Sequence, residues 1–141
     1  MYLIGSQYTG LARPVSDLDI VIIDSKEEKS EILATKLQFL RNIMRAEFNF
    51  IHAFVRKRAR TPILDLMLDC PEGGLQVQIQ FNNMTPIYNT RLVTALVLKY
   101  PGLRNAYWLL KEWAKKFEIN SPQNGTLSSY HIFLLLTFTY S

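Results

Sequence analysis

From Leu75 to Phe81 the chain reads Leu-Gln-Val-Gln-Ile-Gln-Phe, four apolar residues alternating with three glutamines. A period of two places successive side chains on opposite faces of an extended strand. Leu75, Val77, Ile79 and Phe81 therefore point inward, and Gln76, Gln78 and Gln80 line a polar face. Leu18, Ile20 and Ile22 repeat the pattern against Asp17, Asp19 and Val21, so the two aspartates share a face with their Cα atoms about 7 Å apart. Phe48 to Val55 reads as a further strand, followed by the basic run Arg56, Lys57, Arg58 and Arg60. Thr61-Pro62 leads into another strand, with Leu64, Leu66 and Leu68 on one face and Asp65 and Asp69 on the other. Pro71-Glu-Gly-Gly makes a turn. Between the first two strands Ser25-Lys-Glu-Glu opens a helix, whose buried stripe is Leu33, Leu37, Leu40 and Met44. The first half is thus a small mixed sheet with a covering helix.

The second half changes period. Asn89 to Lys99 is helical, and Leu103, Tyr107, Leu110, Ala114 and Phe117 mark a second helix. Ser121-Pro-Gln-Asn-Gly is a loop, and a third helix begins near Thr126, where Ser and Thr are available as caps. The expected fold is α+β, with a sheet domain over residues 1–85 and part of a helical domain over 86–141. There are no internal repeats.

Composition sets limits on what this architecture does. In 141 residues, 48% are hydrophobic and 20% charged, as in a folded globular chain. The formal net charge of +4 and pI near 9.3 lean mildly toward polyanions such as nucleic acid or nucleotides. The lone cysteine, Cys70, excludes an internal disulfide framework and a Cys-rich zinc site, and fits a reducing, intracellular compartment. The opening MYLIGS lacks the parts of a signal peptide, and the longest apolar run, Ile132 to Tyr140, is too short to span a bilayer, so no membrane is expected. Both ends read as those of a piece of a longer protein: the first strand starts at Met1, and the last apolar segment stops without a cap.

The chemistry concentrates in Gly5 to Ile22, GSQYTGLARPVSDLDIVI. Two carboxylates on one strand face can hold magnesium against the phosphates of a nucleotide, because magnesium takes hard oxygen ligands and shares them with substrate. Gly5 lets backbone N–H groups approach a phosphate, and Ser6 adds a hydroxyl donor. Alone, an Asp-x-Asp strand also describes two solvated edge carboxylates.

The same stretch resembles the signature of the DNA polymerase β superfamily of nucleotidyltransferases. More narrowly it resembles the template-independent RNA 3′-end polymerases, the cytoplasmic-type poly(A) polymerases and terminal uridylyltransferases. The likeness continues through ARTPILDL (59–66), FNN (81–83), Asn89-Thr90, KEWAKKFEINSP (111–122) and GTLSSY (125–130). It implies template-independent addition of UMP or AMP to RNA 3′ ends from UTP or ATP, with Mg2+ or Mn2+. By the same resemblance Gly5 and Ser6 contact the triphosphate, Asp17 and Asp19 bind the metal, and Asn89 and Thr90 sit at the ribose. Lys111 and Lys115 hold phosphates, Ser129 reaches phosphate or base, and Tyr130 stacks on the base. The family's helical domain continues further, so either a following segment or a protein partner is expected to cover the apolar surface from about Ile132 to Phe138.

One position departs from the pattern. The family carries a third catalytic aspartate three residues before FNN, where this chain has Gln78. A neutral amide can coordinate magnesium, but it neither neutralises the ion nor takes a proton from an RNA 3′-hydroxyl. Three explanations stay open: a catalytically inactive member serving as an RNA- or protein-binding subunit, a silencing substitution, or a stand-in carboxylate at Asp65 or Asp69. Asp65 otherwise reads as a solvated strand residue. Trp108 and Trp113 read as core, His52 and His131 as structural, and Asn82 and Asn83 as organisers of the turn after the strand.

Overall fold

The computed structural model describes residues 1–14, 16–24, 28–57, 61–71 and 73–140. The expected helix opening at Ser25, Arg58 and Arg60 of the basic run, and Ala59 of the ARTPILDL stretch lie outside these. The chain divides into two compact units, Met1–Thr90 and Arg91–Ser141.

The first unit is built on a five-stranded mixed sheet in the order β1-β2-β5-β4-β3: β1 (Tyr2–Ile4), β2 (Leu18–Ile22), β3 (Phe50–Arg56), β4 (Ile63–Leu68) and β5 (Leu75–Phe81). β5 has the limits its alternation predicts. β2 and β5 run parallel, and every other pair is antiparallel. The strand periodicity sorts the sheet into two faces. On one, Leu64, Leu66, Val77 and Ile79 are buried with Leu37 of helix α2 (Ser30–Glu47), and Leu18, Ile20, Ile22, Leu40 and Met44 pack around them. The other face carries Asp19, Gln78 and Asp65 and is closed at one end by a small cluster of Ile4, Val21 and Ile87. Ile87 belongs to α3 (Thr85–Lys99), which starts a turn earlier than its apolar pattern indicates, with Pro86 in its first turn.

Both ends of helix α2 differ from expectation. Helix α2 begins at Ser30, because the chain is still extended at Lys29, whose carbonyl accepts the N–H groups of Ile32 and Leu33; no side chain caps it. Phe48 ends that helix, its N–H bonded to the Met44 carbonyl, so β3 starts at Phe50. After β1, the Gly5-Ser6 stretch winds into a five-residue helix, α1 (Gly5–Thr9), closed by Gly10 in the left-handed conformation with φ +72°.

The second unit contains α4 (Leu103–Lys116) and α5 (Ser129–Tyr140), joined through a short 3-10 turn at Pro122–Asn124. Tyr107 and Phe133 meet edge to face, with ring centroids 5.5 Å apart, and both are buried. Helix α5 starts where Ser128 caps it: the Ser128 hydroxyl accepts the N–H of His131. Thr126 serves the preceding loop instead, accepting the Ser121 N–H. His131 is exposed and held by Ser128. Trp113 is not core. It is 51% exposed, and its ring lies 5.3 Å from that of Phe117 at a tilt of 45°; Phe117 lies past the last turn of α4 and is exposed too. Along α5, Ile132 and Phe133 are buried whereas Leu135 and Phe138 are exposed. No helix among the described residues is long and apolar enough to cross a membrane.

Candidate functional site

The site in the first unit is assembled where β1, α1, β2 and α3 meet. Strand register sets Ile4 opposite Asp19, so the residue after Ile4 lands beside the Asp19 carboxylate. That residue is Gly5, at φ +68°, and a Cβ placed there would lie 2.6 Å from Asp19 Oδ2. No other residue type fits without moving the carboxylate. The Gly5 N–H donates to Thr90 Oγ1 at 3.0 Å, and Thr90 is buried at 6% exposure on α3. Thr90 thus pins the Gly-Ser turn to the start of the helical segment. The Ser6 carbonyl accepts the Leu11 N–H and the Thr9 hydroxyl, which fixes the path of α1.

Asp17 is exposed just before β2, and Asp19 is half-buried within it. Burial, and then the charge of Asp17, push the Asp19 carboxyl up to about 6. The folded chain therefore holds this proton more tightly than the unfolded chain does. The stability this contributes is complete below the ordinary value of 3.8 and is lost as pH rises through about 6. Asp19→Asn is accordingly expected to stabilise the metal-free protein at pH 7, by on the order of 2 kcal/mol, and to have little effect near pH 3.5. Urea unfolding of both proteins at the two pH values measures this.

Next to Asp19 on β5 stands Gln78, and next to Gln78 on β4 stands Asp65, all three in one row of the sheet. The reading of Asp65 as a solvated residue is corrected: it is 4% exposed. Arg56 Nη2 donates to its Oδ2 and Gln76 Nε2 to its Oδ1, with His52 Nε2 3.9 Å from Oδ1. A carboxylate can be buried here because its neighbours on the polar face supply a charge and an amide donor. Asp69 is exposed beyond the end of β4. The asparagines after β5 are structural, as their turn position suggests. Asn82, at φ +54°, accepts the Asp24 N–H through Oδ1 at 2.7 Å and donates its own N–H to the Ile22 carbonyl, tying the ends of β2 and β5. Asn83 donates to Gln80 Oε1.

The second unit brings its own candidates together. Lys111 and Lys115 lie four apart on α4, and the Lys111 ammonium sits 5.7 Å from the centroid of the Tyr107 ring. Ser129 opens α5, donates to Asn120 Oδ1 at 3.2 Å and bonds the Tyr107 hydroxyl. Burial raises the Tyr107 pKa, and the Ser129 bond opposes that rise. Tyr130 is half-buried beside His131. Sequence reasoning assigned Tyr107 only to the core stripe; its spacing of four from Lys111 was the available signal. Asn89, on α3 beside Thr90, is half-buried.

Asp17 and Asp19 fit a divalent cation: two hard carboxylates on an extended segment, close enough for the charge of one to act on the other. Among the described residues no group of three or more His, Cys, Asp or Glu gathers as a fuller metal cluster. The remaining ligands would come from water or substrate oxygen.

Known proteins share this fold. The family described as "Poly(A) RNA polymerase, mitochondrial-like, central palm domain" matches residues 1–97. The terminal uridylyltransferase cid1 of Schizosaccharomyces pombe is 35% identical over 137 residues, covering 95% of this chain and 33% of the relative. Poly(A) RNA polymerase GLD2-A of Xenopus laevis is 28% identical over 138 residues, covering 96% and 27%. The chain therefore spans about a third or less of the length of these relatives. A solved structure of the Cid1 poly(U) polymerase with Mg 3′-dATP bound superposes with TM-score 0.77 at 37% identity, over 94% of this chain and 40% of that one. The poly(A) polymerase complex GLD-2–GLD-3 superposes with TM-score 0.82 at 25% identity, over 94% and 43%. A Gly-Ser turn seated on the Asp19 carboxylate, a mixed five-stranded sheet and these matches give one conclusion: the chain belongs to the family of mitochondrial-like poly(A) RNA polymerase central palm domains, in the group of polymerase-β-like nucleotidyltransferases that includes Cid1 and GLD-2.

Proposed function

We propose that the protein containing this chain acts at RNA 3′ ends, adding UMP or AMP from UTP or ATP without a template, and that Gln78 makes transfer by this palm slow. Residues 1–85 form the nucleotidyltransferase part and 86–141 a portion of the helical domain. The observation that carries the reading is the seat of Gly5 against Asp19, where a side chain would collide with the carboxylate. Asp17 and Asp19 would hold Mg2+ or Mn2+, which supplies charge neutralisation for a triphosphate. Gly5, its own N–H bonded to Thr90, lets phosphates approach the backbone, and the Ser6 hydroxyl is a donor for them; Asn89 and Thr90 meet the ribose, and Lys111 and Lys115 add positive charge for phosphate. Ser129 bonds phosphate or base, and Tyr130 offers a stacking face suited to any base. Full-length protein incubated with labelled RNA, Mg2+ and each nucleoside triphosphate in turn tests this; extension with UTP or ATP is the expected result.

A second reading, a binding subunit without turnover, is favoured by the Gln78 row itself. Its polar face has lost the third carboxylate, and the neighbouring Asp65 is engaged by Arg56 and Gln76. Nucleotide binding with no extension in any lane would establish it.

The glycine contact yields its own test. Gly5→Ala and Gly125→Ala both force a non-glycine residue into the left-handed region, at φ +68° and φ +77°. Each should cost about 1–2 kcal/mol of stability. Nothing lies within 4 Å of a Cβ at Gly125, so only Gly5→Ala displaces a carboxylate. Titration with Mn2+ and a nucleoside triphosphate is expected to show about tenfold weaker binding, ~1.4 kcal/mol, for Gly5→Ala and native affinity for Gly125→Ala.

A further inference from the structure

We propose that this palm takes up one divalent cation with its nucleotide, and that Gln78 and the clamp of Arg56 and Gln76 on Asp65 together withhold a second. The inference rests on the nucleotide-binding reading above and specifies the ion content of that site. A pair of cations that supports in-line displacement lies about 3.5–4 Å apart. Two dications at that spacing repel, and carboxylates reaching both of them offset the repulsion.

The sheet shows which carboxylates are in reach. Register places Ile4, Asp19, Gln78, Asp65 and Phe54 side by side across all five strands. Neighbouring strands are about 4.8 Å apart. A second cation on the Gln78 side of Asp19 would therefore meet a neutral amide first and Asp65 next. Asp65 is held by other partners: Arg56 donates to Oδ2 and Gln76 to Oδ1, and the residue is buried. Turning it toward a cation would break two hydrogen bonds, one of them to a guanidinium, and would bring the positive charge of Arg56 near the ion. Asp17 and Asp19 remain, sufficient for one cation shared with phosphate.

The experiment counts Mn2+ bound per chain by electron paramagnetic resonance. The added nucleoside triphosphate has its α–β bridging oxygen replaced by NH, so turnover plays no part. One Mn2+ per bound nucleotide is expected for the native protein and two for Gln78→Asp. Asp65→Asn keeps one carbonyl acceptor, for Arg56, and is expected to leave both count and affinity within about threefold of native. Two ions in the native protein overturn the proposal, as does a single ion in Gln78→Asp or a tenfold loss of Mn2+ affinity in Asp65→Asn. If instead neither native nor Gln78→Asp protein binds Mn2+ with the nucleotide, and Asp19→Asn behaves like both, the nucleotide-site reading itself has failed.

Discussion

Gln78→Asp is expected to raise the rate of RNA 3′-end extension by about 10²–10⁴-fold, the usual worth of a positioned general base. The substituted position is flanked by Asp19 on β2 and Asp65 on β4. A carboxylate introduced there joins Asp19 without a change of backbone, because β5 already presents position 78 on the polar face. Its size is close to that of glutamine less one methylene, so the gain comes from charge and basicity rather than packing. The measurement is single-turnover extension of a labelled RNA by the full-length protein, native and variant, with saturating nucleotide and Mg2+. An increase of that order assigns the native defect to one residue. An unchanged rate with nucleotide binding intact means that the rest of the cleft has lost its catalytic arrangement, and the binding-subunit reading then replaces the enzymatic one.

How much of this was legible in the sequence depended on how far apart the interacting residues lie along the chain. The limits of β5 followed from its alternation, since burial on one face alone imposes a period of two. The Gly-Ser turn and the Asp17/Asp19 pair were legible as a local pattern. The start of α2 was not, because it is fixed where the extended backbone ends at Lys29, with no capping side chain to mark it. Thr90 could be named from resemblance, but its bond to Gly5 joins residues 85 apart and depends on β1 and α3 meeting. Asp65 was misread for a related reason. One strand shows only that a carboxylate lies on the polar face. The donors that let it be buried, Arg56 and Gln76, come from two other strands and needed the register to be known. Trp113 was misread because hydrophobic residues are inside only on average, and the exposed side of α4 carries one.

The second large effect concerns that buried carboxylate. Asp65→Ala is expected to destabilise the chain by about 2–3 kcal/mol, the scale of lost hydrogen bonds to a charged group. Removing the carboxylate leaves the Gln76 amide without its acceptor and the Arg56 charge without its counter-ion. The cost falls below the 3–5 kcal/mol of a fully buried broken pair, because the Arg56 side chain is 37% exposed and can turn toward water. Urea unfolding with an unchanged m-value reads the loss as a lower midpoint. Adding Arg56→Met to Asp65→Ala should recover part of it, since the double variant no longer carries an uncompensated cation; a coupling energy near zero would mean that the two side chains do not act as a pair. Asp19→Asn, one strand beyond Gln78 in the same row, is expected to move stability at pH 7 in the opposite direction. The difference in sign follows from surroundings: Asp65 accepts hydrogen bonds from Arg56 and Gln76, whereas Asp19 is half-buried against another carboxylate and keeps its charge at a cost.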